Sequence, residues 1–565
     1  MRQGGQNTGK QNGWGKRQID FSVAPPDRWL VSLIVLVACL IYVPFLHNPL
    51  QFDDFNFFNA QSWHQYFSTW RVFSLRAIPY ATLSDTLGWV GPYLVPLRIE
   101  SLAIHTLNGV LLYFWLKHLF GQLPERVGQQ AVPVWFSLAG ALWFVASPVA
   151  VYGAGYLVER TILMATMFAL MSLLAWVKGI TARRPLLLYA AALFCWLSIL
   201  CKELAVMLPA VLMLQLLVLC RFDTASWRRS VFPLFLAGLA SIYAYWAVLH
   251  SGIIDHSYEF DAHSLLARIK EMHVGFELKH ILLLSRLTQA TLFFKYLGLW
   301  LLPITAWMSI DMYLPIDMNV LNPVYLLGAV GYLVYGIIGF CLIIKKGEKG
   351  LLGLAMLVPW ILFFTEFSVV RVQDIFVLYR SYLWMFALPA ALPWLASQFS
   401  ARRVLGLSFL LVLVSMPLAI DRLVSLSSAY LAWDDAAKLA ERGPALPGME
   451  RIYYNRGNAE LMLKQYMLAR KDYELAIHFR PDYAAAWNNL ANTYYAMGHF
   501  GQAEHDFHQA LHFDPTLSQS WVGMGLCLEK KGALVQSRQA YGQGCRLGNP
   551  VSCKRFQSMK DRQHP

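Results

Sequence analysis

The chain has 565 residues, 57% of them hydrophobic and 14% charged, with a mean hydropathy of +0.42 and a formal charge of +13. That balance excludes an ordinary soluble enzyme and fits a polytopic membrane protein. The basic residues fall in short clusters between apolar runs, where they set topology, so no nucleic-acid partner is expected.

Residues 1–28 are polar and rich in Gly and Gln, with Lys10, Lys16, Arg17 and Arg28 ahead of the first apolar run, and read as a disordered cytoplasmic segment. No small-residue cleavage site follows Leu30–Leu46, so that run reads as a retained helix and not as a signal peptide. Apolar runs of about 17 to 23 residues, the length a membrane-crossing helix needs, then recur across residues 29–420. They predict an all-α bundle of eleven spans near 29–46, 101–120, 133–152, 161–178, 186–201, 204–220, 231–249, 322–344, 351–366, 381–397 and 404–420.

Positive clusters at Lys117 and Arg126, at Lys178, Arg183 and Arg184, at Arg221, Arg228 and Arg229, at Lys345, Lys346 and Lys349, and at Arg402 and Arg403 are placed in the cytoplasm. A further span at Thr291–Pro303 would move Lys345, Lys346 and Lys349 outside, so that segment reads as interfacial or re-entrant, broken by Pro303. An odd span count puts residues 421–565 opposite the N-terminus, in the periplasm of a bacterium or the lumen of a eukaryotic host.

Just past the first span lies Gln51-Phe52-Asp53-Asp54-Phe55-Asn56. Paired carboxylates beside a bilayer are costly, which marks Asp53 and Asp54 as a candidate acid/base centre. The alternative is a solvated turn that caps a helix. The loop 47–100 adds Trp63, Trp70, Arg71, Arg76, Tyr80, Trp89 and Tyr93, suited to a helix on the membrane surface or to a sugar-stacking wall.

Further outer-face charges, against the topology rule, are Glu159 and Arg160, Lys202 and Glu203, and Arg371, Asp374 and Arg380. Several cations beside the outer membrane surface point to a bound anion, and a lipid phosphate suits the bidentate donors of Arg. Internal pairing, such as Glu203 with Lys202 or Arg160, is the alternative.

After a linker at 421–448, residues 449–550 repeat with a period of 34 and are followed by a tail at 551–565. The second copy carries the full tetratricopeptide pattern in Trp487, Leu490, Ala491, Tyr494, Gly498, Phe500, Ala503, Phe507, Ala510 and Pro515. Three copies predict a short α-solenoid whose concave face serves a peptide partner or a purely structural docking role. Cys545 and Cys553 flank Gly548-Asn549-Pro550, so a disulfide fits there in an oxidising compartment. Cys39, Cys195, Cys201, Cys220 and Cys341 read as small buried hydrophobes.

The order Phe52-Asp53-Asp54, Pro96-Leu97-Arg98 with His105 and Asn108, Ser147-Pro148-Val149 with Arg160, Cys201-Lys202-Glu203, and Gln373-Asp374 with Tyr379-Arg380-Ser381-Tyr382 resembles integral-membrane glycosyltransferases of the GT-C class. It is similar in particular to the branch with C-terminal tetratricopeptide repeats, the transmembrane O-mannosyltransferases and their bacterial relatives. The resemblance implies transfer of a sugar from a polyprenyl phosphate or diphosphate to an acceptor hydroxyl, on a protein or a glycan, at the outer face. It implies Asp53 as the carboxylate that orients and deprotonates the acceptor. Asp54 then either helps bind a divalent ion, Mg or Mn, or fixes Asp53 through the local network.

The donor phosphate needs donors as its bond to the sugar breaks. Arg380 is the first choice, then Lys202, Arg160 and His105, with Glu203, Asp374, Tyr379 and Tyr382 in support. Ser147 and Tyr152 stand where the mannosyltransferase relatives carry His and Glu, which argues against mannose and a eukaryotic-type acceptor. Periplasmic protein O-glycosylation in a bacterial inner membrane is the leading expectation, with transfer to a lipid or envelope glycan second. A non-catalytic scaffold whose repeats recruit periplasmic partners is the rival from another class. A transporter is weaker, because the ionisable residues sit at span ends and not at midplane.

Overall fold

The computed structural model describes residues 25–51, 53–59, 62–67, 74–123, 132–220, 223–250, 267, 279–312, 321–345, 347–372, 374–443 and 448–561. The N-terminal stretch and Phe52, Trp70, Arg71, Arg126, Arg221, Lys346 and Gln373 lie outside them, and of Asp53 only the helical backbone is described. All regular elements among the described residues are helices.

Eight helices are long and apolar enough to cross a membrane by length and composition: Asp27–Phe45, Leu94–Phe120, Arg160–Thr181, Glu203–Cys220, Thr224–His250, Pro323–Ile343, Glu348–Ser368 and Ala401–Ser425. Val132–Ala146 and Pro185–Cys201 are shorter apolar helices. Small residues let these helices approach closely. A Cβ on Gly353 would lie 2.4 Å from the backbone nitrogen of Ile343, so the hairpin between the Pro323–Ile343 and Glu348–Leu362 helices closes only with glycine there.

Two stretches differ from the expected spans. Residues 381–397 do not form one α-helix: they wind as 3-10 turns at Leu378–Tyr382 and Met385–Ala391 before the short Leu392–Gln398 helix. Pro389 and Pro393 each remove a backbone donor, which breaks the α-helical ladder inside an otherwise apolar run. The expected re-entrant stretch belongs to a longer helix, Lys279–Leu301. Arg286, near its start, donates to the Phe367 carbonyl at 3.1 Å, and beyond its end the Met308 carbonyl accepts from Arg422 at 2.8 Å.

The bundle is polarised. Lys117 and Lys178 stand in the last turns of the Leu94–Phe120 and Arg160–Thr181 helices, and Arg402 and Arg403 open the Ala401–Ser425 helix. Arg98, Arg160, Lys202, Glu366 and Arg422 stand at the opposite helix ends.

The solenoid is attached at that second end. Residues 421–448, expected as a linker, hold the end of the Ala401–Ser425 helix and a further helix, Ala429–Ala440. Its Trp433, Ala436 and Ala437 pack on Met449, Ile452 and Tyr453 of the first repeat. The repeat helices Glu450–Met462, Ala484–Ala496 and Ser518–Lys530 are offset by 34 residues each, as are the starts of Tyr466–Phe479, Phe500–Phe513 and Leu534–Arg546. The Pro550–Asp561 helix closes the stack, and Cys545 and Cys553 are joined in a disulfide across the turn before it.

Candidate functional site

Asp54 lies at the start of the short Asp53–Asn59 helix and is fully buried. One carboxylate oxygen accepts from the Val158 N–H at 2.9 Å and the other from the Gln51 N–H at 3.2 Å. Burial pushes this carboxyl up to about 6, and those donors and Arg98 only partly offset it. Arg98 is spent on backbone, donating to the Asn48, Pro49 and Gly155 carbonyls at 2.7–2.9 Å. Asp54 and Arg98 therefore tie the segment 48–54 to the turn before Arg160.

From Val158 a chain of ion pairs runs across the end of the bundle. The neighbouring Glu159 accepts from Lys202 at 3.1 Å, both side chains being buried. The next residue, Glu203, is held by Arg76, whose Nε donates at 2.9 Å and whose Nη2 closes the fork. Arg76 has a left-handed backbone, φ 60°, a conformation that costs a non-glycine residue roughly 1–2 kcal/mol. Its N–H, bonded to the Leu200 carbonyl at 2.7 Å, and the Glu203 fork hold it there.

The Tyr379 ring continues the chain, with the Lys202 ammonium 5.5 Å and the Arg380 guanidinium 6.0 Å from its centre. Arg380 and Arg371 share Glu366, each at 3.2 Å, and Glu366 is wholly buried. Arg380 also donates to the Asp374 carbonyl at 3.2 Å. The Asp374 carboxylate faces the solenoid, where Arg451 of the first repeat bridges it at 3.0 Å and Asp311 at 2.7 Å. Burial pushes Asp374 up, but Arg451, with Arg380 and Arg371 behind it, outweighs that and holds it below the usual carboxylate range. Asp311 is raised, because burial there exceeds what Arg451 offsets.

Three sequence candidates, His105, Tyr382 and Arg160, stand apart from this seam. His105 is fully buried, its ring nitrogens 2.7 Å from the Tyr382 hydroxyl and 3.3 Å from the Val145 carbonyl. Asn108 donates to the same hydroxyl at 3.1 Å. Both His105 and Tyr382 thus belong to a packed hydrogen-bond network rather than to a phosphate site. Arg160, 1% exposed, is committed to Glu100 at 2.6 Å and to the Leu97 carbonyl at 2.7 Å. The internal pairs anticipated for Glu203 are replaced by a different one, with Arg76.

An apolar cleft of about 560 Å³ opens beside the seam, walled by Met207, Tyr245, Val248 and Phe364 and reaching Arg76, Glu203 and Arg371. A second, much smaller pocket of about 30 Å³ lies by the solenoid joint, between Tyr152, Tyr156, Asp311, Asp374, Tyr379 and Arg451. Tyr379 separates the Lys202–Arg380 wall from this second pocket.

Sequence reasoning missed Glu366 and the Arg451–Asp311 contact, named Arg76 only among the residues of the loop 47–100, and gave Arg371 only as one of the outer-face charges that suggest a bound anion. A lone carboxylate at the end of an apolar run was the available signal for Glu366. Among the described residues no three His, Cys, Asp or Glu side chains come together to hold a metal ion. Both Asp54 oxygens accept backbone N–H groups.

The tetratricopeptide repeat family model matches residues 484–517. No curated protein matches the chain. Among solved structures, the chain is similar to the first repeat domain of Spaghetti (RPAP3) bound to the HSP90 peptide SRMEEVD, at 16% identity over 22% of this chain and 100% of that one, TM-score 0.21. It is also similar to the Sgt2 repeat domain from Aspergillus fumigatus, at 25% identity over 21% of this chain and 84% of that one, TM-score 0.20. MamA matches at 17% identity over 28% of this chain and 85% of that one, TM-score 0.20. A tetratricopeptide repeat is thus present near the C-terminus, a module that generally mediates protein–protein contact.

Proposed function

We propose that the chain is a membrane glycosyltransferase that moves a sugar from a polyprenyl phosphate or diphosphate to an acceptor hydroxyl, at the bundle end that carries the solenoid. The observation that carries this reading is the apolar cleft of about 560 Å³ that meets Arg76 and Arg371 at the ion-pair seam. A prenyl tail suits its apolar walls, and the phosphate suits the guanidinium groups. Asp53 takes the acceptor proton as the anomeric carbon loses its phosphate, and Arg371 and Arg76 carry the charge left on the phosphate. Lys202 and Arg380 shape the wall between donor and acceptor. The acceptor approaches from the side of the solenoid.

In this reading the bundle has eleven spans in a bacterial inner membrane, with the N-terminus cytoplasmic and the repeats periplasmic. The Cys545–Cys553 disulfide suits an oxidising compartment. Protein O-glycosylation is the preferred reaction. A scaffold reading draws on the internal ion pairing of Lys202 with Glu159 and of Arg160 with Glu100.

The deciding experiment is intact-mass analysis of periplasmic proteins from cells carrying wild type, Asp53→Asn or Arg371→Ala at matched membrane levels. Loss of a sugar-sized mass in both variants is expected. A mass pattern that is the same with and without a functional Asp53 would rule out the transferase and leave the scaffold.

A further inference from the structure

The first two helix pairs of the solenoid carry a buried carboxylate at the same register, Asp472 and Asp506, which are 34 residues apart. In the first pair the carboxylate is satisfied from within. Arg456 Nε donates to one oxygen of Asp472 at 2.6 Å and Nη2 to the other at 2.9 Å, the bidentate fork that guanidinium and carboxylate geometry favour. In the second pair the residue 34 positions after Arg456 is Leu490. Asp506 therefore keeps the carboxylate of the first repeat and lacks its cation. The third pair has neither, with Met524 and Ala540 at the two positions.

Asp506 is 5% exposed. One of its oxygens accepts from His505 Nδ1 at 2.9 Å, and the other is buried with no hydrogen-bond partner. A buried carboxylate oxygen left in that state is destabilising, and a bound donor would recover that loss. Beside it opens a cleft of about 390 Å³ lined by Glu474, Trp487, Leu490, Tyr494, His505 and Asp506. Arg470 is directed to Glu474, at 3.5 Å, and the Tyr494 hydroxyl reaches the same carboxylate at 3.5 Å. The cleft thus offers an unfilled acidic floor between two aromatic rings, and rings of this kind attract cations.

We propose that this cleft binds an arginine side chain presented by a peptide segment of a partner protein, its guanidinium taking on Asp506 the place that Arg456 takes on Asp472. Lysine fits less well, as a point charge without the planar fork. A neutral or acidic side chain leaves the Asp506 oxygen unpaired. The inference is independent of the transferase reading, since binding alone tests it.

The test uses the full-length protein in lipid nanodiscs and isothermal titration with acetyl-Gly-Ser-Arg-Ser-Gly-amide, alongside peptides with Lys, norleucine or Glu in place of Arg. Expected are tightest binding for Arg, several-fold weaker for Lys, and at least tenfold weaker for norleucine and Glu. Asp506→Asn should weaken the Arg peptide at least tenfold with helical content unchanged. Leu490→Arg supplies the missing cation from within and should abolish Arg-peptide binding with Asp506 intact, which keeps the test decisive if Asp506→Asn misfolds. Norleucine binding as tightly as Arg, Arg binding unchanged in a folded Asp506→Asn or in Leu490→Arg, or no binding of any peptide at millimolar concentration would each overturn the proposal.

Discussion

The seam at the bundle end and the solenoid both bury charges; the seam has local pairs too, Arg371 and Arg380 meeting Glu366 five and 14 residues away, but several of its ion pairs reach much further along the chain. In the solenoid Arg456 meets Asp472 16 residues away, and the Trp487 N–H meets the Pro481 carbonyl six residues away, a contact that Trp521 and Pro515 repeat. In the seam Lys202 meets Glu159 across 43 residues, Arg76 meets Glu203 across 127, and Arg451 meets Asp311 across 140. A local pair can be lost from one repeat while its neighbours fold unchanged, because each repeat contacts mainly the next. A long-range pair holds two elements that nothing nearby in the chain would bring together.

The largest expected effect is at the seam's most deeply buried charge, Glu366. Glu366→Gln removes the charge shared by Arg371 and Arg380, all three side chains being nearly or wholly buried. Breaking a buried pair in this way costs about 3–5 kcal/mol. Differential scanning fluorimetry in nanodiscs should show the bundle transition falling while the repeat transition stays in place. If both transitions fall together, the two regions fold as one unit and the contrast fails.

Asp54 gives the next effect, and its sign distinguishes a buried tie from a solvated cap. Its folded pKa of about 6 lies above the unfolded value of 3.8, so the folded state binds the extra proton between those limits. Stability from this group therefore falls as pH rises from about 4 to about 6, and the charged form is penalised by roughly 3 kcal/mol above that. Asp54→Asn cannot ionise, so the variant should gain on wild type as the pH is raised from 4.5 to 7.5. A constant difference between the two melting curves across that range would show a carboxylate at its ordinary value, as in a solvated turn.

Legibility in the sequence follows the same division. The repeat was readable because its period places Trp487, Leu490, Tyr494 and Phe507 at fixed offsets, and the family model covers that copy. Apolar runs announced the long helices, since hydrocarbon-spanning length is a local property. Hydropathy could not show that residues 381–397 wind as 3-10 turns, because burial is the same and the difference lies in Pro389 and Pro393. Nor could it show that His105 would be taken by Tyr382, which is 277 residues away. Charges at helix ends marked Lys202, Glu203 and Arg380 as a group, but which anion each cation meets is decided by tertiary packing.

Arg451 is where the two regions meet, and Arg451→Ala sharpens the comparison at a smaller cost, about 1–3 kcal/mol. It leaves Asp311 and Asp374, the first raised partly by the charge of the second, with their bridging guanidinium removed. In wild type Asp374 is held below its unfolded value, so its contribution is fully present above about pH 4 and is lost only as pH falls through the folded value. Without Arg451 the like charges favour uptake of a proton, so the defect should shrink as pH is lowered from 7.5 to 5.5. Hydrogen exchange at pH 7.5 should quicken at residues 305–312 and 374–380 and stay unchanged across residues 484–546. Quickening throughout the solenoid would mean that Arg451 supports the repeats themselves, and a defect of equal size at both pH values would mean that packing, not charge, makes the joint.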